Sequence, residues 1–315
     1  MKVSLIGTVL NAADSVEEFL ASLEGQTLRP DEVVIVDGGS TDSTADLLRR
    51  SEAVTVIEEP GANIARGRNV AIAAAAHDVL AVTDVDCVLE PEWLRHLLLP
   101  IDEGADVAMG FYAPIAEGLF QECMAAVNLP VDAAEVDPRR FMPSARSLAF
   151  RREALEAAGG YPEWLPIGED MWVNHRWRDL GLDMRFAPEA VVRWRLWGSL
   201  ASTWQQYFGY ARGDAHAGMY PERHALRFGV YAGGLLAARS ERRLPAALAA
   251  AGALAYARTP LRRAWSRLES PADRAAATAI VPVLMAWIDT AKMAGYVAGL
   301  TDRPSRMTTR ESQYS

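Results

Sequence analysis

Over residues 1–112 the chain repeats one pattern: a short unbroken apolar run, a polar break, then a stretch with helical spacing. VSLIGTVL (residues 3–10) precedes Asp14 to Leu23, where Val16, Phe19, Leu20 and Leu23 fall on one helical face. DEVVIVDGG leads into the short helix TDSTADLLRR, which Thr41 or Asp42 is placed to cap. AVTVIEE is a third strand and Ile64 to Ala76 an Ala-rich helix. VLAVTD, the Pro91-initiated PEWLRHLLL and DVAMGFY complete the series. Strands that are apolar on both faces, alternating with helices, predict an α/β fold: a Rossmann-like, mostly parallel sheet flanked by helices. Ligands of such sheets sit beyond the carboxyl ends of the strands. The polar strand ends Thr8/Asn11, Asp37 and Asp84/Asp86 are therefore expected on one rim.

Several chemistries are excluded. The first strand runs into GTVLNAAD, without the G-x-G-x-x-G turn of dinucleotide enzymes. The only lysines are Lys2 and Lys292, so no P-loop exists, and there is no G-x-S-x-G elbow. Cys87 and Cys123 build neither a disulfide framework nor a Cys-rich metal site, which fits a reducing, cytoplasmic setting. MKVSLIGTVLN lacks the features of a secretory signal. The net charge of −9 is uneven: residues 221–315 hold 14 Lys/Arg against 7 Asp/Glu, so the rest is strongly acidic. An acidic body argues against nucleic acid as its main ligand.

Read alone, Asp84-Val85-Asp86 is either a metal site or a polar turn. Asp37 is either a binding acid or a helix initiator, and Gly168-Glu169-Asp170 is either reactive or a helix cap. The order VDGGSTDST, ARGRNVAI, TDVDC, GEDMWVNHRWRDLG after the strand ending at Asn11 resembles the family 2 glycosyltransferases of GT-A fold. SARSLAFRREALEAAGGYPEWLPIGED and QYFGYARGDAHAG resemble a bacterial branch acting on cell-surface polysaccharide or glycolipid.

That resemblance implies an inverting transfer from a nucleotide sugar, UDP favoured, to a glycan or lipid-linked acceptor. It implies donor contacts from Thr8, Asn11, Asp37, Arg66, Arg68, Asn69 and Asp84. Asp86, with Asp84, would hold Mg²⁺ or Mn²⁺, and Asp170 beside Glu169 would be the general base. Strand alternation is taken to put Asp84 and Asp86 on one side. Ser144, Arg146 and Trp164 are acceptor-side candidates, and Trp172 and Trp177 have spacings that also suit a core. Relatives often add a downstream His as metal ligand; AVVRWRLWGS has none, leaving Arg193, Arg195 and, further on, His216 as candidates. A sugar-phosphate nucleotidyltransferase and a non-catalytic carbohydrate-binding protein are the alternatives. The former is disfavoured by the absence of an N-terminal Gly-rich basic loop.

The division expected is a catalytic domain at 1–220, with a nucleotide-sugar half to about 112 and an acceptor half at 113–220. A helical region follows at 221–300 and a polar tail at 301–315. FGVYAGGLLAA, LPAALAAAGALAYA and AAATAIVPVLMAWI are each too short to span a bilayer and are flanked by arginines. They read as an interfacial hairpin on an anionic membrane, peripheral on its inner face, or as a helical subdomain packed on the body or on a second subunit.

Overall fold

A computed structural model describes residues 1–240 and 243–302. The chain divides into two units, residues 1–115 with 130–195, and residues 116–129 with 196 onward.

In the first unit the elements follow the sequence pattern closely. They are β1 (Val3–Val9), α1 (Ala13–Glu24), β2 (Glu32–Asp37), α2 (Thr44–Leu48), β3 (Thr55–Glu58), α3 (Ile64–Ala74), β4 (Val79–Val82), β5 (Cys87–Leu89), α4 (Trp93–Asp102) and β6 (Val107–Ile115). α5 (Gly118–Asn128) belongs to the second unit. β7 (Leu148–Arg151), α6 (Arg152–Ala158), α7 (Glu169–Asp179) and β8 (Met184–Arg195) complete the first. The eight strands form one sheet in the order β3-β2-β1-β4-β7-β6-β8-β5. The half made of β3, β2, β1 and β4 is parallel, whereas β7 runs antiparallel to both its neighbours and β5 antiparallel to β8. The sheet is thus mixed, with the parallel half where the apolar runs predicted it.

Local chemistry explains the element ends. Asn63 caps α3 by accepting from the Arg66 amide at 2.9 Å. Asp42, one of the two expected caps, accepts the Thr44 amide at 3.0 Å at the start of α2. α3 lies so close to β1 that a Cβ on Gly67 would sit 2.7 Å from the Thr8 methyl carbon, so only glycine fits there. Trp93 is fully buried and donates its indole N–H to Ser147 Oγ at 2.8 Å; that hydroxyl in turn donates to the Ala190 carbonyl. Trp177 packs tilted against Phe150, ring centroids 5.3 Å apart, and donates to the Ala154 carbonyl, so of the expected alternatives its role is core packing.

The second unit is helical: α5, then α8 (Leu200–Ala217), α9 (Pro221–Arg239), α10 (Arg243–Arg267) and α11 (Pro271–Thr301). α8 and α11 approach closely, since Cβ atoms on Gly295 and Gly299 would meet the Phe208 and Arg212 carbonyl oxygens at 2.1 and 2.5 Å. Buried Asp289 in mid-α11 accepts from Arg227 Nε (2.8 Å) and from the hydroxyls of Tyr231 (3.1 Å) and Tyr256 (3.0 Å). The polar tail expected at 301–315 lies, beyond residue 302, outside the described residues.

Candidate active site

Asp37, the last residue of β2, is buried. Its Oδ1 accepts the amides of Gly39 (2.8 Å) and Ser40 (2.7 Å), folding the chain back over the strand end. Its Oδ2 is buried with no partner. A buried carboxylate oxygen left unsatisfied is costly, and it points to a donor supplied from outside the chain.

The parallel run ends two strands away, beyond β1 and β4, at Asp84 and Asp86. Both lie in the turn joining β4 and β5, closed by the Cys87 amide donating to the Asp84 carbonyl at 3.1 Å. The expectation that strand alternation orients them is corrected, because β4 stops at Val82 and the turn presents the acids on either side of buried Val85.

Arg68 joins the rim to α7. Only 2 % exposed, its guanidinium bonds the Asp84 carboxylate at 3.1 Å and the Glu169 carboxylate, and lies against the Tyr161 ring (5.5 Å). The two acids hold Arg68 protonated well above its ordinary range, against the opposing effect of burial. Burial, first, then Asp170 and Asp84 push Glu169 up to about 7, while Arg68 pulls it down. One buried cation thus serves several carboxylates.

Arg146 packs its guanidinium 4.1 Å above the Trp194 ring and approaches Asp84 at 3.9 Å. Sequence position suggested an acceptor-side role for it; the structure puts it beside the acids of the β4–β5 turn. Ser144 accepts from the same guanidinium at 3.1 Å and so supports Arg146. Asp86 accepts from Trp194 Nε1 at 3.1 Å and from the Cys87 thiol. Burial and Asp84 push the Asp86 carboxyl above its ordinary value; Arg146 and the indole oppose this.

Gly168, at φ 88°, turns the chain into α7 and sets Glu169 and Asp170 in its first turn. Their side chains differ in setting. Glu169 is buried against Arg68, whereas Asp170 is half-buried, accepting from its neighbour Met171 N at 2.8 Å and Ala145 N at 3.4 Å.

Other expected residues have structural commitments. Thr8 packs on Gly67, and Asn11 accepts from the Thr41 amide at 2.8 Å, capping the strand end. Arg66 is exposed and pairs with Glu59 and Glu163. Asn69 clamps the chain at Tyr161, giving and accepting backbone hydrogen bonds at 2.9 and 3.0 Å. Trp164 meets Trp172 edge-on at 6.4 Å. Arg193 and Arg195, the leaving-group or alternative metal candidates, are exposed and pair with Glu90 and Glu18, on the face of β8 opposite buried Trp194. His216 lies on α8 in the second unit and bonds Asp302 at 2.9 Å. Trp194, the side chain that reaches Asp86, was passed over; the Arg-Trp-Arg alternation of a strand was the signal that could have found it.

Asp84 and Asp86 supply the hard oxygen ligands that suit a divalent cation. Asp84 already faces two guanidinium groups, whereas Asp86 accepts from neutral donors, which makes Asp86 the better placed ligand. Among the described residues no third His, Cys, Asp or Glu joins them in a metal-holding group. The donor set therefore fits an ion that keeps water or substrate oxygens for most of its shell, as Mg²⁺ does.

Residues 4–157 match the family described as Glycosyl transferase family 2. The chain is 25% identical over 207 residues to the O-antigen chain rhamnosyltransferase RfbN of Salmonella typhimurium, covering 61% of this chain and 66% of that protein. It is 26% identical over 200 residues to glycosyltransferase AglE of Haloferax volcanii, covering 60% and 65%. The likeness to the succinoglycan biosynthesis protein ExoA of Rhizobium meliloti is 27% over 221 residues, covering 65% and 67%. The chain thus aligns with about two thirds of the length of these relatives. Among solved structures it resembles the mannosyltransferase PcManGT from Pyrobaculum calidifontis in complex with GDP-Man and Mn²⁺, with a TM-score of 0.53 and 20% identity over 95% of this chain and 86% of that one. GalNAc-T7 with UDP, GalNAc and Mn²⁺ matches at a TM-score of 0.52 over 69% and 47% of the two chains. The fold is that of the GT-A glycosyltransferases, and residues 4–157, just under half of the chain, match glycosyltransferase family 2.

Proposed function

We propose that the protein is an inverting, metal-assisted glycosyltransferase that moves a sugar from a nucleoside diphosphate donor to a hydroxyl of a glycan or lipid-linked acceptor. The observation that carries this reading is the carboxylate rim: the unsatisfied Asp37 oxygen, the Asp84/Asp86 turn and the Glu169/Asp170 pair, the latter two groups tied by one buried arginine.

Asp37 Oδ2 would accept an N–H from the donor base. Asp84 and Asp86 would hold Mg²⁺ or Mn²⁺; structures of similar fold carry Mn²⁺ with GDP-Man or UDP. Such an ion, when bound, neutralises charge on the diphosphate as it leaves. Arg146, fixed over Trp194, is positioned to add a second positive charge there. Inversion needs one displacement. The acceptor oxygen bonds to the anomeric carbon, the bond from that carbon to the diphosphate oxygen breaks, and the acceptor proton passes to a carboxylate. Asp170 suits that role better than Glu169, because Glu169 is buried and bonded to Arg68 while Asp170 keeps partial access. A base so placed contributes on the order of 100- to 10,000-fold. Trp164 remains the aromatic candidate for a sugar face, at the loop before α7.

Relatives named for O-antigen and succinoglycan assembly favour a surface-polysaccharide acceptor. The test is a screen of UDP-, GDP- and other nucleotide sugars for donor hydrolysis and transfer, repeated with Asp170→Asn. Donor binding retained with turnover lost supports the assignment; full turnover in Asp170→Asn overturns it. Donor binding without any turnover in the unaltered protein would favour the non-catalytic alternative.

A further inference from the structure

We infer that α9 and α10 form a docking surface for an anionic membrane, inserting into one leaflet without crossing it. Sequence alone allowed either this or a helical subdomain packed on the body or on a second subunit. The structure removes the second choice for these helices within their own unit, because their apolar side chains stay exposed. Leu226 (68 %), Leu236 (69 %), Leu244 (70 %) and Leu254 (71 %) are among the most exposed apolar residues of the described chain. On α9, Leu226 and Val230 occupy one flank, Phe228 and Leu235 the opposite flank, and Leu236 the arc between. Only a narrow stripe through His224, Arg227 and Tyr231 turns inward, and Arg227 is spent on Asp289. The outward surface from Ala225 to Ala238 therefore carries no charge.

The uncharged runs are Phe228–Ala238, eleven residues, and Leu244–Ala257, fourteen residues. At about 1.5 Å rise per residue they extend roughly 16 and 21 Å, short of a hydrocarbon core of about 30 Å. α11 is the one helix among the described residues long and apolar enough to cross, and its middle is occupied by buried Asp289.

Charge selects the occupant. From Arg223 to Leu268 the sequence holds nine arginines and a single acid, Glu241, in a chain of net charge −9. Arg239 and Arg243 are exposed where the two runs meet, and Arg258 and Arg262 beyond Ala257. Arginines bracketing exposed leucines complement a surface of lipid phosphates and carboxylates over an apolar interior. A second copy of the chain would bring the same arginines against each other, and a single flat partner face would leave part of the wide apolar arc of α9 in water.

The test is flotation of the full chain with vesicles of phosphatidylcholine alone or mixed with phosphatidylglycerol, alongside analytical ultracentrifugation without lipid. Expected is binding to the anionic vesicles, weakened at high salt. Arg239→Gln with Arg243→Gln should lower the partition coefficient about ten- to thirtyfold. Leu236→Gln, Leu244→Gln and Leu248→Gln together should abolish binding; these side chains are exposed, and unchanged circular dichroism and donor hydrolysis would show an intact fold. No binding to anionic vesicles at low salt overturns the inference. So does equal binding to neutral vesicles, or a dimer dissociated by the leucine variant without vesicle binding.

Discussion

Replacing Arg68 by Met tests the electrostatic centre of the site. The side chain is 2 % exposed and bonds Asp84 at 3.1 Å and Glu169 directly. Its removal leaves Glu169, 5 % exposed at the side chain, without its cation, and Asp84 with Arg146 alone at 3.9 Å. Breaking a buried pair by deleting one partner costs about 3–5 kcal/mol, which for a unit of this size corresponds to about 6–20 °C in Tm. The loss should depend on pH with a definite sign. Glu169 is raised from 4.5 to about 7 in the fold, so folding favours its protonated form. The stability this contributes is complete below the unfolded value and is lost as pH rises through the folded one. Without the lowering pull of Arg68, that loss extends to still higher pH. The gap between parent and Arg68→Met should therefore widen between pH 7 and 8.5 by about 1–2 kcal/mol, at 1.36 kcal/mol per unit. Urea denaturation at several pH values, followed by tryptophan fluorescence, measures it. Adding Glu169→Gln to the variant should recover at least half of the loss and flatten the slope. A gap that stays constant from pH 6 to 8.5, or a double variant no better than the single, would refute this reasoning.

Trp194→Phe should keep the ring beneath Arg146 but remove the N–H given to Asp86, and metal affinity should change by about three- to tenfold with little loss of stability, read by manganese titration. Asp37→Asn keeps an acceptor for Gly39 and Ser40 and replaces the other oxygen by a donor; nucleotide affinity should fall about tenfold or more, measured by calorimetry, while affinity for inorganic diphosphate stays unchanged.

Much of the site was legible because its acids sit where strands stop. Asp37 and Asp84/Asp86 follow unbroken apolar runs, and parallel strands deliver such ends to one rim. What remained hidden depended on contacts distant in sequence. β7 enters between β4 and β6 from some 65 residues beyond β4, so the helix–strand alternation of the opening segment could not reveal a mixed sheet. The turn at 83–86 reads as strand because Val85 is apolar and buried. Arg193 and Arg195 alternate with Trp194 along β8, and only the paired strands show that the buried indole between them is the side chain beside Asp86. Glu169 and Arg68 lie 101 residues apart, and only the fold pairs them. The apolar stretches beyond residue 220 were visible, but periodicity does not say which face a helix leaves exposed.

In the proposed mechanism Asp86 binds a divalent ion that in turn holds the donor diphosphate. The most direct measurement is the thermal shift given by UDP or GDP, with Mn²⁺ and with EDTA, on the parent protein and on Asp86→Asn. At least one of the two nucleotides should stabilise the parent by several degrees with Mn²⁺, about 2–3 kcal/mol at a hundredfold excess over Kd. No shift should appear in EDTA and none in Asp86→Asn, whose own Tm should stay at or above that of the parent because a carboxyl disfavoured by burial is gone. An equal nucleotide shift in EDTA, or one that survives in Asp86→Asn, would contradict it.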